Sequence, residues 1–286
     1  AAMAGAFVIL LLVVVAIAGG PVAKSVTGHP MNEPYQSTMT DDFGVPKGPN
    51  GQFYFGADAS GRDLFVRVMY GARTSLIVGV VATGLSVLIG LIVGLLAGFF
   101  GGWLDTLLSR SADIMLAVPQ LLISVGIVAA CSVSKEGCLG GLVQPGLGIV
   151  IIVITLFSWS YIARIVRGIT LSVREKEFVE AARAIGMSNR RILLGEVLPN
   201  LVGPVIVYST LLIPSSILFE AALSYLGLGV PPDQASWGQI LSDASQYYDV
   251  AWWLMVFPGA ALVITTLAFN LLGDGLRDAL DVRAER

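Results

Sequence analysis

The sequence predicts an all-α, polytopic membrane protein with six transmembrane helices. Of its 286 residues, 55% are hydrophobic and only 13% are charged, and the mean hydropathy is +0.80. Soluble domains carry roughly 25% charged residues, so this composition indicates a chain that lies largely in lipid. Six apolar runs have about the 20 residues that an α-helix needs to cross roughly 30 Å of hydrocarbon.

The six runs are the predicted spans. In chain order they are Met3 to Ala23, Leu76 to Phe100, Ala112 to Ser132, Leu147 to Ile165, Leu201 to Ser224 and Trp252 to Leu272. The first resembles a secretory signal, but no basic residue precedes it, and we expect a membrane helix. Closely spaced small residues in the second run indicate tight helix packing; they are Gly79, Gly84, Gly90, Gly94 and Gly98.

A polar, charged segment from Glu180 to Pro199 lies between the fourth and fifth runs. It predicts two short helices joined at Gly186, which would end the first helix in a left-handed conformation. Ser172 and Glu175 predict a capping box at the start of the first helix. Ser188 is placed to cap the second helix.

Two functions fit this hairpin equally well by periodicity alone. It is either an amphipathic helix that lies on lipid or a docking surface for a soluble protein. In the second case, small side chains at Ala181, Ala182 and Ala184 allow close approach of the partner. Glu180 and Arg183 would then set its polar register.

The distribution of Lys and Arg predicts the orientation of the chain. Basic residues crowd the segment between the fourth and fifth runs, and none lies between the fifth and sixth. Because basic residues favour cytoplasmic loops, we expect the hairpin and both termini to be cytoplasmic. Five basic residues in the long outer segment disagree, although long loops follow the rule poorly; they are Lys24, Lys47, Arg62, Arg67 and Arg73.

Glu220 lies within the fifth run, near its predicted outer end. A carboxylate at such a depth is costly unless it is paired or hydrated. It is either part of an outer gate or of a pathway for a solute, or a structural hydrogen-bonding group. The sequence favours neither.

The outer side carries three further signals. Ser236 and Gln239 predict a capping box for a short helix that ends near Gln246, with Asp243 and Asp249 facing water. Adjacent tryptophans at 252 and 253 are typical of an interfacial aromatic belt, with docking of another protein as the alternative. The cysteines at 131 and 138 flank a short polar segment that is expected outside, where a disulfide is permitted. Two inert thiols are the alternative.

Catalytic and metal motifs are missing from the sequence. A single histidine and two cysteines with six residues between them form no recognisable zinc set. The chain has no phosphate-binding G-x-x-x-x-G-K-[ST] loop, G-x-S-x-G elbow or H-E-x-x-H. Its basic residues are scattered, which argues against nucleic acid. We therefore expect no enzyme activity, metal or cofactor in this chain.

The segment EAARAIGMSNRRILLGEVLP, which starts at Glu180, resembles the EAA motif of ABC importer permeases. That motif has Glu-Ala-Ala, a glycine four residues on and a Leu-Pro after a second short helix. Other stretches resemble C-type permeases of the dipeptide, oligopeptide and nickel importer family. They are Phe55 to Asp63 with Arg67, Tyr70 to Leu76, Leu223 to Gly229, Ser236 to Gly238, Trp252 to Gly259 and Asn270 to Asp278.

The resemblance implies a type I ABC importer permease fold and one half of a peptide translocation pathway in a bacterial or archaeal cytoplasmic membrane. Its partners would be a homologous second permease, two cytoplasmic ATPase subunits that bind ATP and Mg, and an extracytoplasmic substrate-binding protein. The coupling helix that transmits motion from the ATPases would contain Glu180, Ala181, Ala182, Arg183 and Gly186.

The same resemblance divides the chain into two parts. Residues 1–75 hold the first span, a long extracytoplasmic loop and the lead-in to the second span. Residues 76–286 form the core permease domain, with five spans and the EAA loop at about 166–199. Nickel or another peptide-like solute is the alternative cargo. A self-sufficient channel or secondary transporter is an alternative of a different class, and it predicts flux without ATP.

Overall fold

The computed structural model describes residues 2–133, 138 and 146–281. In that part of the chain the regular structure is helical, with no strand. The helices are α1 (Ala2–Thr27), α2 (Gln36–Met39), α3 (Leu64–Phe100), α4 (Gly102–Ala117), α5 (Gln120–Val133), α6 (Leu147–Arg174), α7 (Glu177–Ala184), α8 (Asn189–Tyr225), α9 (Trp237–Ala244) and α10 (Trp253–Asp281).

Five of these helices, α1, α3, α6, α8 and α10, are long and apolar enough to cross a membrane, and α4 with α5, which are bent at their junction, make a sixth if the pair is one span. The predicted all-α membrane fold is confirmed. One end of the bundle carries α7 and is called the hairpin end. The opposite end carries α9 and is called the α9 end.

The third predicted span, Ala112 to Ser132, is wrong as a single straight helix. The axes of α4 and α5 differ by 84°. The break falls at Val118, which is extended with φ −82° and ψ 133°, and at Pro119. Proline has no N–H to donate and disfavours helical geometry at the preceding residue, so the apolar run continues while the helix does not.

Helix α3 begins well before the predicted start of the second span at Leu76. Asp63 caps its N-terminus by accepting hydrogen bonds from the backbone N–H groups of Phe65 and Val66 at 2.9 and 3.3 Å. Arg67 and Arg73, expected in the outer loop, therefore lie in its first turns. Residue 75 is also helical, so the two predicted parts of the chain share α3.

Three of the predicted glycine contacts bring α3 and α6 together. An added Cβ at Gly94 would lie 2.5 Å from the carbonyl oxygen of Ala163, and one at Gly98 would lie 2.6 Å from Cβ of Thr170. Gly90 meets α6 in the same way. Gly84 faces open space, so the packing prediction is wrong there. Glycine therefore allows backbone contact along this helix pair.

Candidate functional site

Helix α7 forms the predicted hairpin with the first turns of α8 at one end of the bundle. Its buried face consists of Val179 and Ala182, which belong to one hydrophobic cluster with Phe99, Val166 and Ile192. These contacts join α7 to α3, α6 and α8. A displacement of α7 would therefore act on three membrane-spanning helices at once.

Gly186 ends α7 in the predicted left-handed conformation, with φ +82°. Its N–H donates to the carbonyl oxygen of Arg183 at 3.0 Å, and the N–H of Met187 donates to that of Ala182 at 3.0 Å. Paired bonds of this kind satisfy carbonyl groups that the last helical turn leaves free. Two capping predictions are wrong: Ser172 lies inside α6, which continues to Arg174, and Ser188 makes no side-chain cap.

The predicted coupling residues do not all face outward. Glu180, Ala181, Arg183 and Gly186 are exposed, whereas Ala182 is only 5% exposed and packs inside the bundle. Ala182 is therefore not part of the outer surface of α7, contrary to the prediction that its small side chain admits a partner. The correction follows from the helical period, because residues 179 and 182 lie on the same face.

Arg183 also contacts its own chain. Its guanidinium carbon lies 5.9 Å from the centroid of the Phe99 ring, a distance at which a cation–π attraction is significant. Nearby, Arg174 Nη1 donates to the carbonyl oxygen of Gly98 at 2.9 Å. The hairpin end of α3 is thus held from two sides by basic residues.

Glu220 is fully buried between α3, α8 and α9. Its carboxylate accepts hydrogen bonds from Ser224 Oγ at 2.7 Å and Ser75 Oγ at 3.2 Å. The backbone N–H of Trp237 lies 3.5 Å from Ser75 Oγ. These contacts are those expected of a structural group that joins the α9 end of the bundle. A role in transport stays a prediction.

The α9 end contains the predicted cap of α9 and the two adjacent tryptophans. Ser236 Oγ accepts the N–H of Gln239 at 3.1 Å, so the cap of α9 is confirmed, although the helix ends at Ala244. Trp252 is exposed, whereas Trp253 is buried and donates from Nε1 to the carbonyl oxygen of Ala57 at 3.1 Å.

Cys131 and Cys138 are joined as a disulfide, with Cα atoms 4.9 Å apart. Residues 134–137 of the closed loop lie outside the described part of the chain. Among the residues that are described, no cluster of three or more His, Cys, Asp or Glu side chains is placed to hold a metal ion.

Comparison with known proteins assigns this architecture to a family. The model of the binding-protein-dependent transport system inner membrane component matches residues 90–286, more than half of the chain. The dipeptide transport system permease protein DppC of Alkalihalophilus pseudofirmus is 41% identical over 82% of this chain and 73% of its own length. The chain belongs to the family of binding-protein-dependent transport system inner membrane components.

Two further relatives cover almost the whole permease. The glutathione transport system permease protein GsiD of Escherichia coli is 41% identical over 98% of this chain and 86% of its own length. The oligopeptide transport system permease protein OppC of Bacillus subtilis is 39% identical over 100% of this chain and 86% of its own length.

A solved structure supports the fold of the permease. A chain of the MetNI methionine ABC transporter in an inward-facing conformation aligns with a TM-score of 0.60 and 22% identity. The alignment covers 74% of this chain and 95% of that one. The predicted type I ABC importer permease fold is confirmed.

A buried ionic cluster on the α9 end was missed by sequence reasoning. Arg67 is 0% exposed, with Nε 3.2 Å from Asp58 Oδ2 and Nη2 donating to Gln239 Oε1 at 2.7 Å. Arg62 Nε donates to the same Asp58 oxygen at 2.7 Å. The cluster joins the loop before α3 to α9. The sequence signal for this cluster was two Asp and two Arg within ten residues. The remaining members of the cluster lie on α9, which is distant in sequence, so the signal did not reveal them.

Asp243 completes that cluster and is partly buried, so the prediction that it faces water is wrong. Its Oδ2 accepts from Gln239 Nε2 at 2.8 Å and lies 3.8 Å from Arg62 Nη2. Burial, together with the nearby negative charge of Asp58, raises the pKa of Asp243, and the two arginines oppose this shift.

Two ion pairs at the hairpin end were also missed. Asp105 of α4 accepts from Arg167 of α6 through both carboxylate oxygens, with Nη2 to Oδ2 at 2.7 Å. Elsewhere along the same two helices, Asp113 of α4 pairs with Arg164 of α6. Bidentate pairing of this kind fixes the orientation of the two helices. The pairs therefore attach the first half of the bent span to α6.

Proposed function

We propose that this permease is one of two membrane subunits of an ATP-driven importer for dipeptides or oligopeptides. The observation that carries the proposal is the hairpin, whose inner face packs on three membrane-spanning helices while its outer face stays free to bind another protein. The peptide assignment rests on the relatives at 39–41% identity, which are named for dipeptide, oligopeptide and glutathione transport.

The proposed machine contains a homologous second permease, two cytoplasmic ATPase subunits and an extracytoplasmic substrate-binding protein. ATP and Mg bind to the ATPases, and this chain supplies no nucleotide site. Both termini and the hairpin lie in the cytoplasm, as the basic residues of the hairpin favour. The α9 end then faces the binding protein.

Coupling follows from the continuity of the helices. Helix α8 starts inside the hairpin at Asn189 and extends to Tyr225. A five-residue π-helical turn, Leu193–Val197, lies close to its start. ATP-driven displacement of α7 is passed to α8 through Val197 and to α3 through Phe99, since both side chains pack in the cluster that holds Val179.

The test is purification of the native complex followed by mass spectrometry of the co-purifying chains and bound solute. The expected result is a second permease, ATPase subunits and a bound peptide. Recovery of nickel or another solute in place of peptide would show that the alternative cargo is the correct one. Flux of cargo through the purified chain alone, without ATP, would replace the proposal with a channel or secondary transporter.

A further inference from the structure

Two open cavities join into a groove on one side of the bundle. The central cavity has a volume of about 410 Å³ and is lined by α4, α5, α6 and α8. The second, of about 310 Å³, lies nearer the hairpin end between α6, α8 and α10. Tyr208 and Leu211 line both cavities, so the two adjoin along α8.

The groove carries neutral polar side chains at the middle of the spans. Gln120, Ser158, Tyr161, Tyr208 and Ser215 line its central cavity. None of these five side chains hydrogen-bonds to another residue in the described part of the chain. The lining of this cavity contains no Asp, Glu, Lys or Arg.

Unpaired hydroxyl and amide groups at this depth are incompatible with lipid contact, because hydrocarbon offers them no hydrogen bond. Surfaces of the same bundle that suit lipid carry apolar side chains instead. The exposed mid-span residues of α10 are apolar and include Val263, Ile264 and Leu267. The polar face of α6 and α8 therefore meets water or the polar groups of another molecule, and not lipid.

The chemistry of the lining matches the peptide main chain. Main-chain N–H and C=O groups are neutral donors and acceptors that every peptide carries, and hydroxyl and amide side chains pair with both. Charged side chains of a cargo find no fixed countercharge in the central cavity. The wall of the central cavity thus has no charge that would select the side chains of a peptide, and the charged residue of the groove, Arg277, lines the second cavity.

The bend in the third span forms part of this wall. Leu116 lies before the bend at Pro119 and Gln120 lies after it, and both line the central cavity. A change in the angle between α4 and α5 would therefore move Gln120 relative to Tyr161 and Tyr208. Access to the groove thus depends on the position of α4, which the Asp105–Arg167 pair attaches to α6.

We propose that the groove between α4, α5, α6 and α8 binds the main chain of the peptide in transit through Gln120, Ser158, Tyr161, Tyr208 and Ser215. This inference rests on the proposed function, since it concerns the cargo of the same importer. Glu220 is absent from the lining of both cavities and is not part of this binding surface.

The first experiment measures the accessibility of the groove to water in the assembled complex. Single cysteines replace Ser158 and Ser215, with Val263→Cys and Ile264→Cys as lipid-facing controls, and a charged, membrane-impermeant thiosulfonate is added. The groove cysteines should react and should be protected by added peptide. Labelling no faster than in the α10 controls, or labelling that peptide does not slow, would overturn the proposal.

The second experiment tests recognition of the main chain. Tyr161→Phe and Tyr208→Phe remove only the hydroxyl groups. Each should lower ATP-dependent uptake of a plain peptide about 3- to 10-fold, the effect of one lost hydrogen bond. An N-methylated peptide of the same sequence should be affected less, because it lacks main-chain N–H donors. Equal losses for both peptides, or no loss, would contradict the assignment.

These results separate the groove from the proposed function. A complex that takes up no peptide at all, but another solute, overturns the peptide importer and the groove assignment together. A complex that takes up peptide while the groove cysteines stay unreactive leaves the importer standing and removes the groove.

Discussion

Gly186 carries the strictest conformational demand in the hairpin, because its φ of +82° is unfavourable for side chains with a Cβ. An added Cβ would meet no atom within 4 Å, so the cost of a substitution there is a backbone cost alone. Gly186→Val should therefore cost about 1–2 kcal/mol at this residue and displace the start of α8. Uptake and transport-linked ATPase activity, measured in a fully expressed complex, should fall together.

The matched control for this substitution is Gly186→Asn. Asparagine adopts the left-handed region at low cost, so this variant should keep most of the uptake. Intact uptake in Gly186→Val would show that the turn is not needed for coupling.

Glu220 is a buried acid whose hydrogen bonds are those expected of a structural group. Glu220→Gln keeps the size of the side chain and one oxygen that accepts a hydrogen bond from Ser224 or Ser75. We expect uptake within about twofold of the natural chain. Glu220→Ala leaves both hydroxyls unpaired and should destabilise the permease by about 1–3 kcal/mol or more, measured by thermal unfolding of the purified complex. Loss of uptake in a folded, assembled Glu220→Gln complex would instead assign Glu220 to the pathway.

At the scale of elements, the Cys131–Cys138 disulfide closes a short loop that follows the end of α5. Closing a loop of this size should stabilise the chain by about 2 kcal/mol, mainly at the end of α5. Non-reduced, natively prepared protein should yield the peptide that contains Cys131 linked to the one that contains Cys138 in a mass spectrum. Two freely alkylated thiols in the same sample would refute the bridge. Cys131→Ser serves as the control, since it removes the linked species and leaves Cys138 reactive.

The elements also show what can be predicted from sequence. Long apolar runs located the spans, because lipid requires about 20 apolar residues wherever a helix crosses it. The start of α3 at Leu64 escaped this criterion, since Arg67 is buried and donates to Gln239 on α9, which is distant in sequence. Pro119 was visible in the sequence, yet an 84° bend rather than a tolerated kink depends on packing.

The candidate site was predictable to a similar degree. The left-handed turn at Gly186 follows from local backbone chemistry and was found. The inward position of Ala182 depends on which face of α7 meets α3 and α6, and periodicity did not decide it. The polar groove has residues from four helices, so no single stretch of sequence indicates it.

At the scale of the whole molecule, the exposed face of α7 is the proposed contact with the ATPases. The Glu180 side chain makes no ion pair or hydrogen bond to another described residue, so its charge is available to a partner. Glu180→Lys should weaken association with the ATPase subunits about 3- to 10-fold, measured by titration of the purified permease pair with the ATPases. Membrane insertion should not change.

Asp249→Lys is the matched control, because it makes the same charge change at an exposed position on the α9 end. It should leave ATPase association intact. An equal loss in both variants would indicate a general charge effect and not a contact at α7. Arg183 is less suited to this test, since its guanidinium lies over Phe99 and its loss also removes a contact within the chain.

Helix α8 joins the hairpin to the buried Glu220, Ser75 and Ser224 hydrogen bonds beneath α9. Because one helix belongs to both faces of the membrane, the free energies of events at the two faces are linked, and linkage is reciprocal. If ATPase binding at the hairpin changes the affinity of the α9 end for the binding protein by some factor, a docked binding protein changes ATPase affinity by the same factor. In the proposed importer, a loaded binding protein would thus report the presence of cargo outside to an enzyme that never contacts it.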